Sequence, residues 1–182
     1  MTPGAPVLGT LRWHPATERP DLVAPPVAAA LRSWPHADAA LVAEIDPELA
    51  DTAAFTEAYA VPPEASANCV VVAGRRGGDE RVAGCVVLAT TRADVNGVVR
   101  RRLDVRKASF LPMDDAVARS GMEYGGITPL GLPADWPVLV DSAVLTVDLA
   151  VVGSGLRRSK LALPGRLLAE LPGALAVTAL GR

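Results

Sequence analysis

Apolar residues recur along this chain in short β-branched runs broken by glycine and proline, a rhythm that predicts many short strands alternating with brief helices. Val70-Val71-Val72-Ala73 and the stretch from Arg81 to Ala89 flank Gly74-Arg75-Arg76-Gly77-Gly78-Asp79, which reads as a hairpin about a Gly-rich turn. Ala39 to Ile45, Lys107 to Phe110, Pro137 to Val140, Leu149 to Val152, the alternating Lys160 to Leu163, and Leu175 to Val177 have strand length. Helices are expected where a proline suits a first turn or a polar residue can cap. These are Val27 to Arg32 after Pro25-Pro26, ending near Trp34-Pro35, and Leu49 to Ala60 after Asp46-Pro47. A third is capped by Thr90-Thr91 and runs through Val95, Val98 and Val99 to Leu103, with the arginine run on its outward face. Met113 to Ser120 stops at Gly121, and Pro164 to Leu171 suggests a last helix. The fold class is therefore mixed α/β, a mixed and partly barrel-like β-sheet packed with helices. No internal repeat, low-complexity tail or interdomain linker stands out, so residues 1–182 are expected to form a single domain.

Composition narrows the class. Half of the 182 residues are hydrophobic and mean hydropathy is +0.27, yet no stretch approaches the roughly 20 apolar residues that span a bilayer. Met1-Thr2-Pro3-Gly4 has neither a basic start nor an apolar run, so no membrane association is expected and a cytoplasmic setting follows. Cys69 and Cys85 lie in Val-rich segments and fit buried, reduced thiols. A net charge of −2 argues against a nonspecific, phosphate-tracking binder of DNA. Basic residues do cluster at Arg75-Arg76, at Arg100 to Arg102 with Arg106 and Lys107, and at Arg157-Arg158 with Lys160. Two or three clusters can meet on one face, or they can be a solvated surface rich in arginine.

Conventional catalytic groups do not assemble. Val151-Val152-Gly153-Ser154-Gly155 starts like a dinucleotide loop, but Arg158 replaces the third glycine and a strand-like run follows, so no cofactor is expected. Gly153-Ser154-Gly155 lacks the glycine spacing of a nucleophile elbow. His14 and His36 stand beside prolines, and two histidines with two separated cysteines give no metal-ligand spacing. What remains is backbone. In Gly125-Gly126-Ile127-Thr128-Pro129, glycine allows consecutive N–H groups to approach an oxyanion or carboxylate; the same residues also suit a plain tight turn.

The flanks change that balance. Lys107 to Phe110, Tyr124 to Pro133 around the Gly-Gly-x-Thr-Pro core, Pro137 to Asp141, and Val152 to Gly155 with Lys160-Leu161 resemble, in order, the YbaK/EbsC family of free-standing aminoacyl-tRNA editing domains. The resemblance covers about Asn68 to Leu171 and implies a fold like the editing domain inserted in bacterial prolyl-tRNA synthetases. It also implies a trans-acting deacylase that hydrolyses the ester of a mischarged aminoacyl-tRNA, a small amino acid on the acceptor end of tRNA for proline. Gly125, Gly126 and Thr128 would be the catalytic loop, its amides stabilising the oxyanion while the terminal ribose hydroxyl orients water. Ile127 and Pro129 would shape the amino-acid pocket, and Ser154 with Gly155 would line its far wall. Asp141 would hold the substrate amine or the loop, or it is simply a cap at a strand end. Asn68 would face the substrate where the family usually has a lysine, keeping hydrogen bonding without the charge. That exchange leaves open a noncatalytic module that binds an aminoacyl-adenosine-like ligand or a tRNA 3′ end.

Overall fold

The computed structural model describes residues 8–182; the Met1-Thr2-Pro3-Gly4 stretch, on which the expectation about a leader rests, lies outside them. Strands β1 (His14–Pro15), β2 (Leu41–Glu44), β7 (Ala150–Gly153) and β8 (Ser159–Leu163) form a four-stranded antiparallel sheet in the order β1-β2-β8-β7. Strands β3 (Ala67–Arg76), β4 (Asp79–Leu88), β5 (Ala108–Phe110), β6 (Val138–Asp141) and β9 (Ala174–Val177) form a five-stranded sheet in the order β5-β3-β4-β6-β9. This second sheet is mixed, with β3 antiparallel to β4 and β5 and with β4, β6 and β9 parallel. The expected mixed α/β class holds, with two sheets and no closed barrel among the described residues. They touch through a parallel bridge between Ser66, just before β3, and Val151 of β7.

Helix α1 (Pro25–Ser33) begins with two prolines and buries Val27 and Leu31, one helical turn apart. The hairpin is longer than its β-branched runs suggest, because pairing continues to Arg76↔Asp79 and the turn shrinks to Gly77-Gly78. Both glycines have positive φ, 60° and 96°, as a tight two-residue hairpin turn requires. Helix α4 (Met113–Ser120) has Asp114 and Asp115 in its first turn and ends where Gly121 turns left-handed at φ 69°.

Three helical expectations change. The Leu49 to Ala60 segment splits into a 3-10 turn, Pro47–Leu49, and helix α2 (Thr52–Tyr59), with Ala50 buried at the break. Thr90-Thr91 is not the cap of the next helix. Asp94 is, its carboxylate accepting from the N–H groups of Gly97 at 3.1 Å and Val98 at 2.9 Å, and it opens a π-helical turn, Val95–Val99, that runs into α3 (Arg100–Leu103). Pro164 to Leu171 forms a 3-10 helix over Gly165–Glu170. The short α5 (Ser142–Leu145), begun by the Asp141 side chain accepting from Ala143 N–H, carried no sequence signal of its own.

The main core lies between the sheets, where Val42, Val152, Leu161 and Leu163 meet Val86, Val138 and Val140 under α1. A second cluster joins the other face of the five-stranded sheet, through Val72, Cys85 and Leu139, to Val99 and Leu103. A third packs α2, through Phe55, on Val151 and Ala162. β8 is thus covered on both faces, so all five of its residues are buried where its sequence alternates. Cys69 and Cys85 are free thiols, and burial pushes the Cys85 pKa up to about 12. The first two basic clusters meet: Arg76 and Arg81 both pair with Asp104 at the end of α3, at 2.5 and 3.2 Å. Among the described residues no helix is long and apolar enough to cross a membrane.

Asp94 also pairs with Arg182 at 2.6 Å and its side chain is only 9% exposed, so it ties the π turn to the chain end. Asp94→Ala is expected to lower stability by about 1–2 kcal/mol, read as an earlier midpoint in urea denaturation with the slope unchanged.

Candidate functional site

Residues of both sheets and of the approach to α2 enclose a cavity of about 380 Å³. One wall is Ala50 to Thr52 with Phe55, a second is the first half of β3 from Ala67 to Val71, and a third is Val151 to Gly153 with Lys160. Gly125 and Ile127 close it, and Phe110, Met113 and Tyr124, which are 60%, 50% and 55% exposed, ring its mouth.

The glycine loop is held by a second loop. Gly126 N–H donates to the Glu123 carbonyl at 3.0 Å, and the Gly126 carbonyl accepts from Gly155 N–H at 2.7 Å. A Cβ on Gly126 would stand 2.8 Å from the Leu156 backbone, and one on Gly153 would collide with the Gly126 carbonyl. Glu123 completes the clasp, its N–H donating to Gly155 O at 2.8 Å and its carboxylate accepting from Arg157 N–H at 2.6 Å. Gly125 adopts φ 76°, and its missing Cβ makes room for the Arg157 guanidinium. That guanidinium donates to Tyr124 O at 3.3 Å and Pro47 O at 3.1 Å and lies 3.7 Å from Asp51, joining the loop to the approach of α2. Among the described residues the N–H groups of Gly125 and Ile127 have no acceptor.

The expected site residues therefore separate. Gly125, Ile127 and Asn68 line the cavity. Asn68 Oδ1 accepts from the Thr52 hydroxyl at 2.8 Å, leaving its amide N–H groups as donors. Gly126, Ser154 and Gly155 form the clasp behind it; Ser154 is fully buried, 2.7 Å from the Ser159 hydroxyl. Thr128 is buried with an unpartnered hydroxyl, its N–H directed to Met122 Sδ at 3.4 Å. Pro129 borders a different cavity, beside Trp34 and Trp136. Asp141 is outside the first cavity, its carboxylate accepting from the N–H groups of Ala143 and Gly181.

Lys160 was not singled out for this site from the sequence. Its ammonium donates to the Ala50 carbonyl at 2.8 Å and sits 5.2 Å over the Phe55 ring. Desolvation, reinforced by Arg157 and opposed by Asp51, lowers its pKa to about 8. The available signals were its place in the Lys160-Leu161 part of the family-like pattern and a lysine inside a largely apolar strand. Cys69 also lines the cavity, but burial raises its pKa well above the usual thiol range, so it stays protonated and a poor nucleophile. Among the described residues no group of three His, Cys, Asp or Glu could hold a metal ion.

The lysine makes a stability prediction. Its folded pKa lies below the unfolded value of 10.5, so below about 8 both states are protonated and the fold bears the full cost of the buried cation. Between about 8 and 10.5 the unfolded state holds the extra proton and stability rises with pH, by on the order of 3 kcal/mol in all. The raised thiol pKa values act in the opposite direction above pH 9. Lys160→Met should therefore melt higher than wild type at pH 7, and the gap should close by pH 10, the subtraction cancelling the thiols.

Comparison with known proteins gives the site a context. The model of the aminoacyl-tRNA editing domain matches residues 46–171, more than half of the chain. A solved protein described as a candidate trans-editing enzyme for prolyl tRNA synthetase superposes with a TM-score of 0.71 at 18% identity, over 84% of this chain and 93% of that one. A scaffold used for computational epitope grafting superposes at 0.72 with 19% identity, over 85% and 95% of the two chains. The hypothetical protein APE2540 does so at 0.67 with 18% identity, over 78% and 90%. At these identities the superpositions establish the fold. No curated protein matches the chain.

Proposed function

Because this chain belongs to the family of aminoacyl-tRNA editing domains, we propose that it is a cytoplasmic, trans-acting deacylase, one editing domain that hydrolyses the ester of a mischarged tRNA. The substrate is a small amino acid on the acceptor end, with tRNA for proline the leading carrier. One observation carries this reading: the cavity combines free backbone donors at Gly125 and Ile127 with exposed aromatic side chains at its mouth.

Phe110 and Tyr124 offer stacking faces for the terminal adenine, a contact on the order of 1–3 kcal/mol per base. The ester then enters the cavity. Water adds to the acyl carbonyl, the amides of Gly125 and Ile127 receive the developing oxyanion, and collapse releases the amino acid and the ribose hydroxyl. The activated ester needs no covalent nucleophile, in keeping with a protonated Cys69. Asn68 holds the nucleotide or the ester by hydrogen bonds. Ile127 limits the acyl pocket. Gly126, Thr128, Pro129, Asp141, Ser154 and Gly155 act from behind it, setting the loop and the strand ends.

Incubating the protein with a panel of mischarged tRNAs should give ester hydrolysis above background on at least one; none on any of them overturns the deacylase. Gly125→Ala twists the loop out of its left-handed turn against Arg157. It should cut kcat by about 10²-fold or more, the scale for losing an oxyanion donor, while circular dichroism stays unchanged. Asn68→Lys should raise kcat/KM by strengthening the hold on the nucleotide; an unchanged value removes Asn68 from substrate contact. Tight binding of an aminoacyl-adenosine analogue without turnover would establish the noncatalytic binding module instead.

A further inference from the structure

The ester chemistry above leaves two buried polar groups of the cavity unused. Ser66 is 4% exposed, lines the cavity, and its hydroxyl has no hydrogen-bond partner. Lys160 is 9% exposed and lines it too. They flank β7, Ser66 bridging to Val151 on one side and Lys160 pairing with Gly153 on the other. An ammonium has three N–H donors. One goes to Ala50 O and the Phe55 ring faces the group, which leaves donor capacity for a ligand. An orphaned buried hydroxyl and a cation with spare donors each cost the fold free energy that an acceptor would return. The charged groups facing Lys160 are Arg157, which repels it, and the largely exposed Asp51, so no buried carboxylate neutralises it.

Position decides which part of a ligand they meet. The rim residues Phe110, Met113 and Tyr124 are half exposed or more, while Ser66 and Lys160 are nearly closed off from solvent. A nucleoside stacked at the mouth therefore points its acyl group inward. We infer that Lys160 and Ser66 form an acyl side-chain subsite that selects amino acids carrying an oxygen acceptor, a hydroxyl or a carboxylate, over an aliphatic one of similar size. An alanyl methyl would shield the ammonium from water without replacing its hydrogen bonds, whereas a seryl hydroxyl or aspartyl carboxylate replaces them. This inference rests on the reading of the cavity as an aminoacyl-nucleoside site, and it sharpens what that site admits.

The test separates the two. Non-hydrolysable amide analogues of alanyl-, seryl- and aspartyl-adenosine are titrated by calorimetry into wild type, Lys160→Met and Ser66→Ala, and the matching charged tRNAs are assayed for hydrolysis in parallel. Wild type should bind the seryl or aspartyl analogue about tenfold or more tighter than the alanyl one, and whichever is tighter distinguishes hydroxyl from carboxylate. Lys160→Met should bring that ratio to about one, and Ser66→Ala should reduce it in part; thermal denaturation checks that each variant is folded. Equal binding of all three analogues, or a ratio that survives Lys160→Met, overturns the subsite. Selective binding with no hydrolysis overturns the deacylase and leaves the subsite standing, hydrolysis without selectivity does the reverse, and no binding by any analogue overturns both.

Discussion

Two stretches of backbone, Gly125-Gly126 and Gly153 to Leu156, pass so close that neither has room for a side chain where they touch. The contact is sealed by the Gly155 N–H to Gly126 carbonyl bond and by Glu123, which bonds to Gly155 and Arg157. It connects the end of β7 in one sheet to the loop that follows α4, so the geometry of the cavity mouth depends on it. Once the Gly126 N–H and carbonyl are committed to the clasp, the amides left over are those of Gly125 and Ile127. A rigid clasp is also what a backbone oxyanion site requires, because preorganised donors need no rearrangement during the reaction.

The same cavity gathers several costly groups of the fold. Elsewhere the buried surface is mostly Ala, Val and Leu packed between and around two sheets, and Asp141 and Ser154 are satisfied locally, while the Thr128 hydroxyl behind the glycine loop is not. Around the cavity stand a desolvated lysine, an orphaned serine and a left-handed glycine. Such departures from good packing tend to collect where a ligand is handled. That concentration, together with the exposed aromatic rim, sets this cavity apart from the one beside Trp34 and Trp136, which is closed by Pro129 to Pro133.

Strand and helix positions were largely legible, because each rests on local chemistry. The Val-rich hairpin, the helix after Pro25-Pro26 and the Met113–Ser120 helix with its terminal glycine all formed as their patterns indicate. One miss was local in origin and another was not. Asp94 outcompetes Thr90-Thr91 as a cap because it reaches two N–H groups of the π turn, and a bonding pattern that irregular leaves no periodicity to read. The alternation of Lys160 to Leu163 promised one exposed face, but α2 covers the side that a strand pattern assigns to water.

Sequence by itself determined the mixed α/β class, the order of most elements and the glycine loop, together with the family resemblance those motifs carry, since these depend on contacts between near neighbours and on residue types only a few conformations accept. The tertiary structure alone decided which residues share a cavity. It set Asn68, Gly125 and Ile127 together, moved Gly126, Thr128, Pro129, Asp141, Ser154 and Gly155 out of its lining, and brought in Lys160 and Ser66. The reason is physical: the cavity is enclosed by both sheets, and what lines it depends on strand register and loop closure across positions such as Ser66 and Val151 that lie far apart in the chain.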